Sequence, residues 1–256
     1  MTLPADPGTG APTWLVEVPL AHRGLHGDGI PENSMAAFRA AADAGYGVEL
    51  DVHVTSDDLA VVAHDASLLR MAGVDRRIGE MTGDELQGFR LEETDEHIPR
   101  LPEALEALRD VPVMVELKSP RLRAGALERR VAALLDEHPG PVCVASFNPV
   151  ALRWFRRNRP DLPRVLTATS ESSSGLPAPL VRRLANLRDL RSVDPVAVSY
   201  DVKGLPQPAV DQWRDRGGAV VTWTVHDEAT WETARRHADN IIFENIRPSL
   251  DDRPTT

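Results

Sequence analysis

The sequence predicts an α/β fold built from parallel strand–helix units, and three observations carry that expectation. Eight strand-like apolar runs end near His22, Val52, Lys118, Phe147, Thr169, Tyr200, Val225 and Asn245. Helical patterns fall between them, and strands alternating with helices at this spacing point to parallel βα units. The length, 256 residues, suits a single α/β barrel, which needs roughly 250.

The elements follow in order. Residues 1–12 are a proline- and glycine-rich arm and residues 251–256 a polar tail, and both are expected to be mobile. After the first run, Ser34 to Ala44 reads as a helix with Asn33 as its N-cap, the lesser alternative being that Asn33 reaches the functional site, and Gly45 in the glycine position after its last turn. Val48 to Thr55 and Leu59 to Asp65 read as the two strands of a hairpin, so the second is an arm outside the count of eight. A two-residue turn at Asp57-Asp58 sets Asp51 directly opposite His64. Helical patterns then cover Leu101 to Arg109, Ala124 to Glu137, Pro149 to Asn158, Pro179 to Leu190, Pro208 to Arg216 and Glu228 to His237. Asn148 before Pro149 is a good helix start. The serine-rich loop Ser170 to Pro179 follows the fifth run and is expected at the mouth of such a barrel, where it could shape ligand choice; the competing reading is an ordinary surface loop. No repeat or linker interrupts the chain, so one domain over residues 1–256 is expected.

Composition narrows the function classes. With 42% hydrophobic and 27% charged residues the chain is an ordinary globular protein. A formal charge of −10 argues against a nucleic-acid surface and against docking on anionic membranes. Cys143 stands alone among apolar neighbours, so no internal disulfide forms and a buried small side chain is expected. The first residues through Trp14 carry neither a basic nor an apolar leader pattern, and no apolar run approaches the roughly 20 residues of a membrane span. A cytoplasmic location without membrane insertion is the expectation.

Groups suited to phosphate or metal chemistry gather at the run ends, where a barrel places its active site. Residues two apart on a strand face the same way, so Glu49 pairs with Asp51 and Glu116 with Lys118. Three carboxylates facing one point repel one another unless a cation lies between them. Glu49, Asp51 and Glu116 are therefore candidate ligands, and their oxygens suit Mg²⁺, Ca²⁺ or Mn²⁺ better than zinc. The competing reading pairs the acids with Arg23 and Lys118 as ion pairs alone. His22 and His64 can move protons near neutral pH, and Arg23 and Lys118 can hold phosphate oxygens. His26, His53, His97, His138, His226 and His237 are read as structural, with His26 and His53 the next to test. Trp14, Trp154, Trp213 and Trp231 are read as packing residues.

Seven ordered words cover nearly the whole chain: Ala21-His22-Arg23-Gly24, Pro31-Glu32-Asn33-Ser34 with Ala37-Phe38, Glu49-Leu50-Asp51-Val52, Val61-Val62 with His64-Asp65, Val115-Glu116-Leu117-Lys118, Ser146-Phe147-Asn148-Pro149 and Thr222-Trp223-Thr224-Val225. In these words the chain resembles the glycerophosphodiester phosphodiesterase family. The resemblance implies a phosphodiesterase-type TIM barrel like that of phospholipase C, one divalent metal ion, and hydrolysis of a small glycerophosphodiester to sn-glycerol 3-phosphate and an alcohol. It implies a two-step route in which the substrate's own 2-hydroxyl attacks phosphorus, with His22 and His64 as acid and base and His64 favoured as base. It also places Trp223 against the substrate glycerol. Three positions depart from the family pattern: Asp58 where glycine is usual, the ending Phe243-Glu244-Asn245 where Thr-Asp is commoner, and His226 where asparagine is. The alternatives are a lysophospholipase D or phospholipase C-type enzyme on the same barrel, a glycosidase using paired carboxylates, and a non-catalytic phosphate-binding barrel.

Overall fold

A short helix, α1 (Thr13–Glu17), leads into the first strand, β1 (Leu20–His22), in a computed structural model that describes residues 10–119, 124–170 and 177–250. The chain divides into two units, one formed by Leu20–Val142 and the other by the segment up to Pro19 together with Cys143 onward. The expected mobile stretches at residues 1–9 and 251–256 lie outside the described residues, as does 171–176 of the serine-rich loop.

In the Leu20–Val142 unit, β1 is followed by α2 (Met35–Asp43), β2 (Gly47–Val54), β3 (Ala60–Val62), α3 (Leu69–Ala72), α4 (Gly83–Leu86), α5 (Leu101–Ala107), β4 (Val113–Leu117) and α6 (Ala126–Leu135). Strands β1 and β4 both pair with β2 in parallel. Residues 47–52 of β2 are buried throughout, as expected of a strand covered on both faces. Its apolar Val48, Leu50 and Val52 alternate with Glu49 and Asp51, which sends the acids together to the opposite face.

Two sequence expectations are corrected here. The N-cap of α2 is Ser34, whose hydroxyl accepts from the Ala37 amide at 3.1 Å, and Asn33 is free to reach elsewhere. Strand β3 is antiparallel to β2 in a register that pairs Val52 with Val62 and Val54 with Ala60, so Asp51 lies opposite Ala63 rather than His64. The cause is the turn. Asp58 adopts a left-handed φ of 61°, which lengthens the loop by one residue to Ser56-Asp57-Asp58. The Asp57 carboxylate braces the turn by accepting from the Thr55 hydroxyl at 2.6 Å and from the Gly83 amide at 3.0 Å.

Between β3 and α5 the chain builds a small core of its own from Val61, Leu68, Ile78, Met81, Leu86, Leu91 and Ile98. That core supports α3 and α4, neither of which the sequence pattern announces. Four-residue helices are too short to show a period.

In the other unit, β5 (Val142–Ser146), α7 (Pro149–Asn158), β6 (Arg164–Ala168), α8 (Ala178–Ala185), α9 (Leu190–Val193), β7 (Ala197–Asp201), α10 (Pro208–Arg214), β8 (Ala219–Val225), α11 (Glu228–His237) and β9 (Asn240–Phe243) alternate. Each strand from β5 to β9 pairs with the next in parallel. The helix expected over Pro179 to Leu190 is split into α8 and α9 at Leu187, whose φ is 48°. Helix α1 is tied to β9 by the Asn240 side-chain amide, which donates to the carbonyls of Leu15 at 2.9 Å and Val18 at 2.7 Å. Cys143 is buried. Among the described residues no helix is long and apolar enough to cross a membrane.

Candidate active site

Strand register assembles the site. In the parallel pairing of β1 with β2, His22 stands beside Glu49, and in that of β2 with β4, Asp51 stands beside Glu116. Four of the residues expected from sequence thus stand on three neighbouring strands of one unit, His22 at the end of β1, Glu49 and Asp51 within β2, and Glu116 one residue before the end of β4. Just past β1 the chain turns sharply. Arg23 has φ 56° and its amide donates to the Glu49 carbonyl at 2.8 Å, while Gly24 has φ 81°. A Cβ on Gly24 would lie 2.8 Å from the Ala37 Cβ and 2.9 Å from its carbonyl carbon, so α2 can approach only a glycine.

Glu49, Asp51 and Glu116 are buried, each offering an oxygen within 4.8 Å of the others. Two cations face them. Lys118 Nζ lies 2.8 Å from Asp51 Oδ1 and 2.7 Å from Glu116 Oε1, and Arg23 Nε lies 3.3 Å from Asp51 Oδ2. The Asn33 amide donates to that same Oδ2 at 2.9 Å. Burial alone would raise the Asp51 carboxyl, but Lys118 and Arg23 outweigh it and hold the group well below the usual carboxylate range. Glu49 moves the other way: burial first, then the charges of Asp51 and Glu116, push it well above its ordinary value. Its Oε2 is buried without a hydrogen-bond partner. An acid left over in a cluster of three acids and two cations is what a hard divalent cation would satisfy, so this donor set fits one.

His64 arrives from the segment just beyond β3. Despite the shifted register it remains within electrostatic reach of Asp51, Lys118 and Arg23. Burial, then the Lys118 cation, lower its pKa to about 4, so the imidazole is neutral at physiological pH. Its Nδ1 lies 2.7 Å from Asp65 Oδ1. His53, read from sequence as structural, sets its Nε2 3.1 Å from the His64 carbonyl oxygen, and burial lowers its pKa.

Sequence reasoning missed most supports of this centre and held Asn33 only as a lesser alternative to a cap. Glu32 receives Arg23 Nη1 at 2.9 and 3.0 Å through its two oxygens, Asn33 clasps Asp51, and Arg70 bonds both Glu32 and Asp65. Glu32, Asn33 and Asp65 stand inside the family words and could have been read from them; Arg70 has no local signal. Trp223 belongs to the other unit, on β8, where its indole meets the Phe147 ring edge-on at 5.6 Å between centroids.

Comparison with known proteins identifies the family. A model described as the glycerophosphoryl diester phosphodiesterase family matches residues 22–246. The chain is 31% identical over 230 residues to a Mycobacterium tuberculosis protein named "probable glycerophosphodiester phosphodiesterase 2", covering 84% of this chain and 82% of that one. It is 33% identical over 132 residues to a rat lysophospholipase D, covering 46% of this chain and 41% of the relative. Among solved structures, a glycerophosphodiester phosphodiesterase of Thermotoga maritima superposes with a TM-score of 0.67 at 25% identity, covering 88% of this chain and 92% of that one. An Oleispira antarctica phosphodiesterase in complex with the product sn-glycerol 3-phosphate gives 0.73 at 24%, covering 88% and 91%. The fold is the (β/α)8 barrel of these structures, and the chain belongs to the glycerophosphoryl diester phosphodiesterase family.

Proposed function

We propose that the cluster on β1, β2 and β4 is the active site for the reaction that family membership assigns, hydrolysis of a glycerophosphodiester to sn-glycerol 3-phosphate and an alcohol. One observation carries the reading: the strand register that sets His22 beside Glu49 and Asp51 beside Glu116, around a buried carboxylate oxygen with no partner. Glu49, Asp51 and Glu116 would hold the metal, Mg²⁺ or Ca²⁺ first and Mn²⁺ next. When bound, a divalent ion supplies positive charge against which phosphoryl oxygens are held and polarised.

The side chains divide the remaining work. Neutral His64 accepts the proton of the substrate's 2-hydroxyl as that oxygen bonds to phosphorus. His22 gives a proton to the departing alcohol oxygen as its bond to phosphorus breaks. Water then opens the cyclic phosphate with the two histidines in exchanged roles. Arg23 and Lys118, fixed on the carboxylates, present their remaining N–H groups to phosphate oxygens.

The deciding assay is release of glycerol 3-phosphate from glycerophosphocholine and glycerophosphoethanolamine, with EDTA and with Mg²⁺, Ca²⁺ or Mn²⁺ restored. Metal-dependent release supports the reading, and folded protein that releases none with any metal defeats it. A substrate whose 2-hydroxyl is replaced by hydrogen should be inert; turnover of it would remove the two-step route. The lysophospholipase D relative makes lysophosphatidylcholine the second substrate to assay.

A further inference from the structure

A continuous chain of charged groups runs outward from His64 and returns to the acidic centre. Asp65 Oδ1 meets His64 Nδ1 at 2.7 Å, and its other oxygen receives Arg70 Nε at 2.6 Å. Arg70 Nη2 bonds Glu32 Oε1 at 2.6 Å, Glu32 holds Arg23, and Arg23 reaches Asp51. We propose that Arg70 is a positioning residue for the reaction: by clamping Asp65 and Glu32 at once, it fixes the tautomer and orientation of His64 relative to Arg23 and the metal-binding acids.

The geometry supports this in three ways. An ionised carboxylate can only accept, so Asp65 requires the His64 proton on Nδ1 and leaves the Nε2 lone pair for the substrate. Both Asp65 oxygens are used, which prevents the carboxylate from swinging away from the ring. The two short bonds of Arg70 diverge to two carboxylates 33 residues apart in sequence, a task for a planar fork and not for a point charge. Arg70 sits on the four-residue α3, and its neighbours Leu68, Met71 and Ala72 anchor that helix to the small core between β3 and α5. With its side chain 46% exposed, Arg70 contributes little packing, and its bonds lead toward the active site.

The inference rests on His64 being the proton-transfer residue, and the test separates the two claims. Arg70→Ala should lower kcat roughly 10- to 100-fold, the usual cost of losing an outer support, while KM for glycerophosphocholine and the thermal midpoint hold. Arg70→Lys should recover part of the loss, and guanidinium ion added to Arg70→Ala should recover more. In a His64→Ala background, where kcat is already low, Arg70→Ala should cost nothing further. Unchanged kcat in Arg70→Ala, or an equal loss in both backgrounds, would overturn the proposal while leaving the role of His64 intact. Full turnover by His64→Ala would overturn both. If Arg70→Ala fails to fold, Arg70→Gln carries the same comparison with the stem retained.

Discussion

Two buried carboxylate clusters, one in each unit, reach opposite ends. Asp189, with a side chain 1% exposed, receives the fork of Arg183 on both oxygens at 2.6 Å, and Arg153 and Ser192 approach at 3.5 and 3.4 Å. One acid meets two guanidinium groups and every oxygen has a donor. Around Asp51 three acids meet two cations, and one oxygen of Glu49 has no partner. A carboxylate with a donor on every oxygen and no excess of negative charge behaves as a strut between chain segments, whereas a buried excess of carboxylate costs stability unless something else binds there. Charge count and unfilled oxygens, more than burial or ion-pair distance, set apart the cluster proposed as the active site.

The largest effect should come from exchanging one acid in each cluster. Asp51→Asn should cut turnover on the order of 10³-fold, the rate equivalent of the several kcal/mol that metal charge contributes. Asp189→Asn should leave kcat alone and lower stability by about 2 kcal/mol, the weight of hydrogen bonds to a charged group. Kinetics and chemical denaturation of the two variants read both quantities. Comparable losses of turnover in both would erase the distinction.

The next effect is on stability. A cation that binds only the folded protein, at about 100 times its Kd, should raise stability by ~2.7 kcal/mol. Thermal unfolding with added Mg²⁺ or Ca²⁺ should show that shift in the wild type and in Asp189→Asn, and lose it in Glu49→Ala. A shift that survives in Glu49→Ala would place the cation elsewhere.

Much of this was legible in sequence, for reasons that also explain the gaps. The strand ends near His22, Lys118 and Val225 and the same-face pairs Glu49 with Asp51 and Glu116 with Lys118 were readable, because apolar runs and period-2 alternation are local signals. The register of β3 was not. It turns on whether Asp58 takes a left-handed φ, and aspartate tolerates both outcomes. Asn33 was read as a cap because the helix start admits either Asn33 or Ser34, and only the fold decides which side chain is needed at Asp51. Arg70 escaped entirely. Its partner Glu32 is 38 residues away, and the helix that carries it is held by a local core rather than by any periodic pattern.

A smaller effect concerns pH. The folded pKa of His64 lies near 4, below the ordinary value of about 6.5 for an unfolded chain. Folding therefore favours the neutral ring. In the proposed role of base, His64 would be available down to about pH 4, and the stability linked to it is full above about 6.5 and lost as pH falls through 4. A bound cation nearby pushes the same way. The acid limb of kcat/KM should thus fall near pH 4, and an inflection near 6.5 that disappears in His64→Ala would contradict the depressed value. The satisfied Asp189 cluster predicts no matching change: Asp189→Asn should leave the limb where it is.

The smallest effect tests how much the acidic centre depends on the hairpin that delivers His64. Asp58 holds φ at 61° in a turn whose side-chain bracing comes from Asp57, through Thr55 and the Gly83 amide, while Asp58 contributes only its backbone amide, which donates to the Thr55 carbonyl at 3.2 Å. Replacing Asp58 with glycine removes the side-chain cost of that conformation but adds backbone freedom to the unfolded chain, and the two nearly cancel. Asp58→Gly should therefore change stability by less than about 0.5 kcal/mol and leave kcat/KM untouched. If turnover fell with stability unchanged, the three-residue loop itself would be setting where His64 stands, and the unusual aspartate would belong with the catalytic unit and not with the turn.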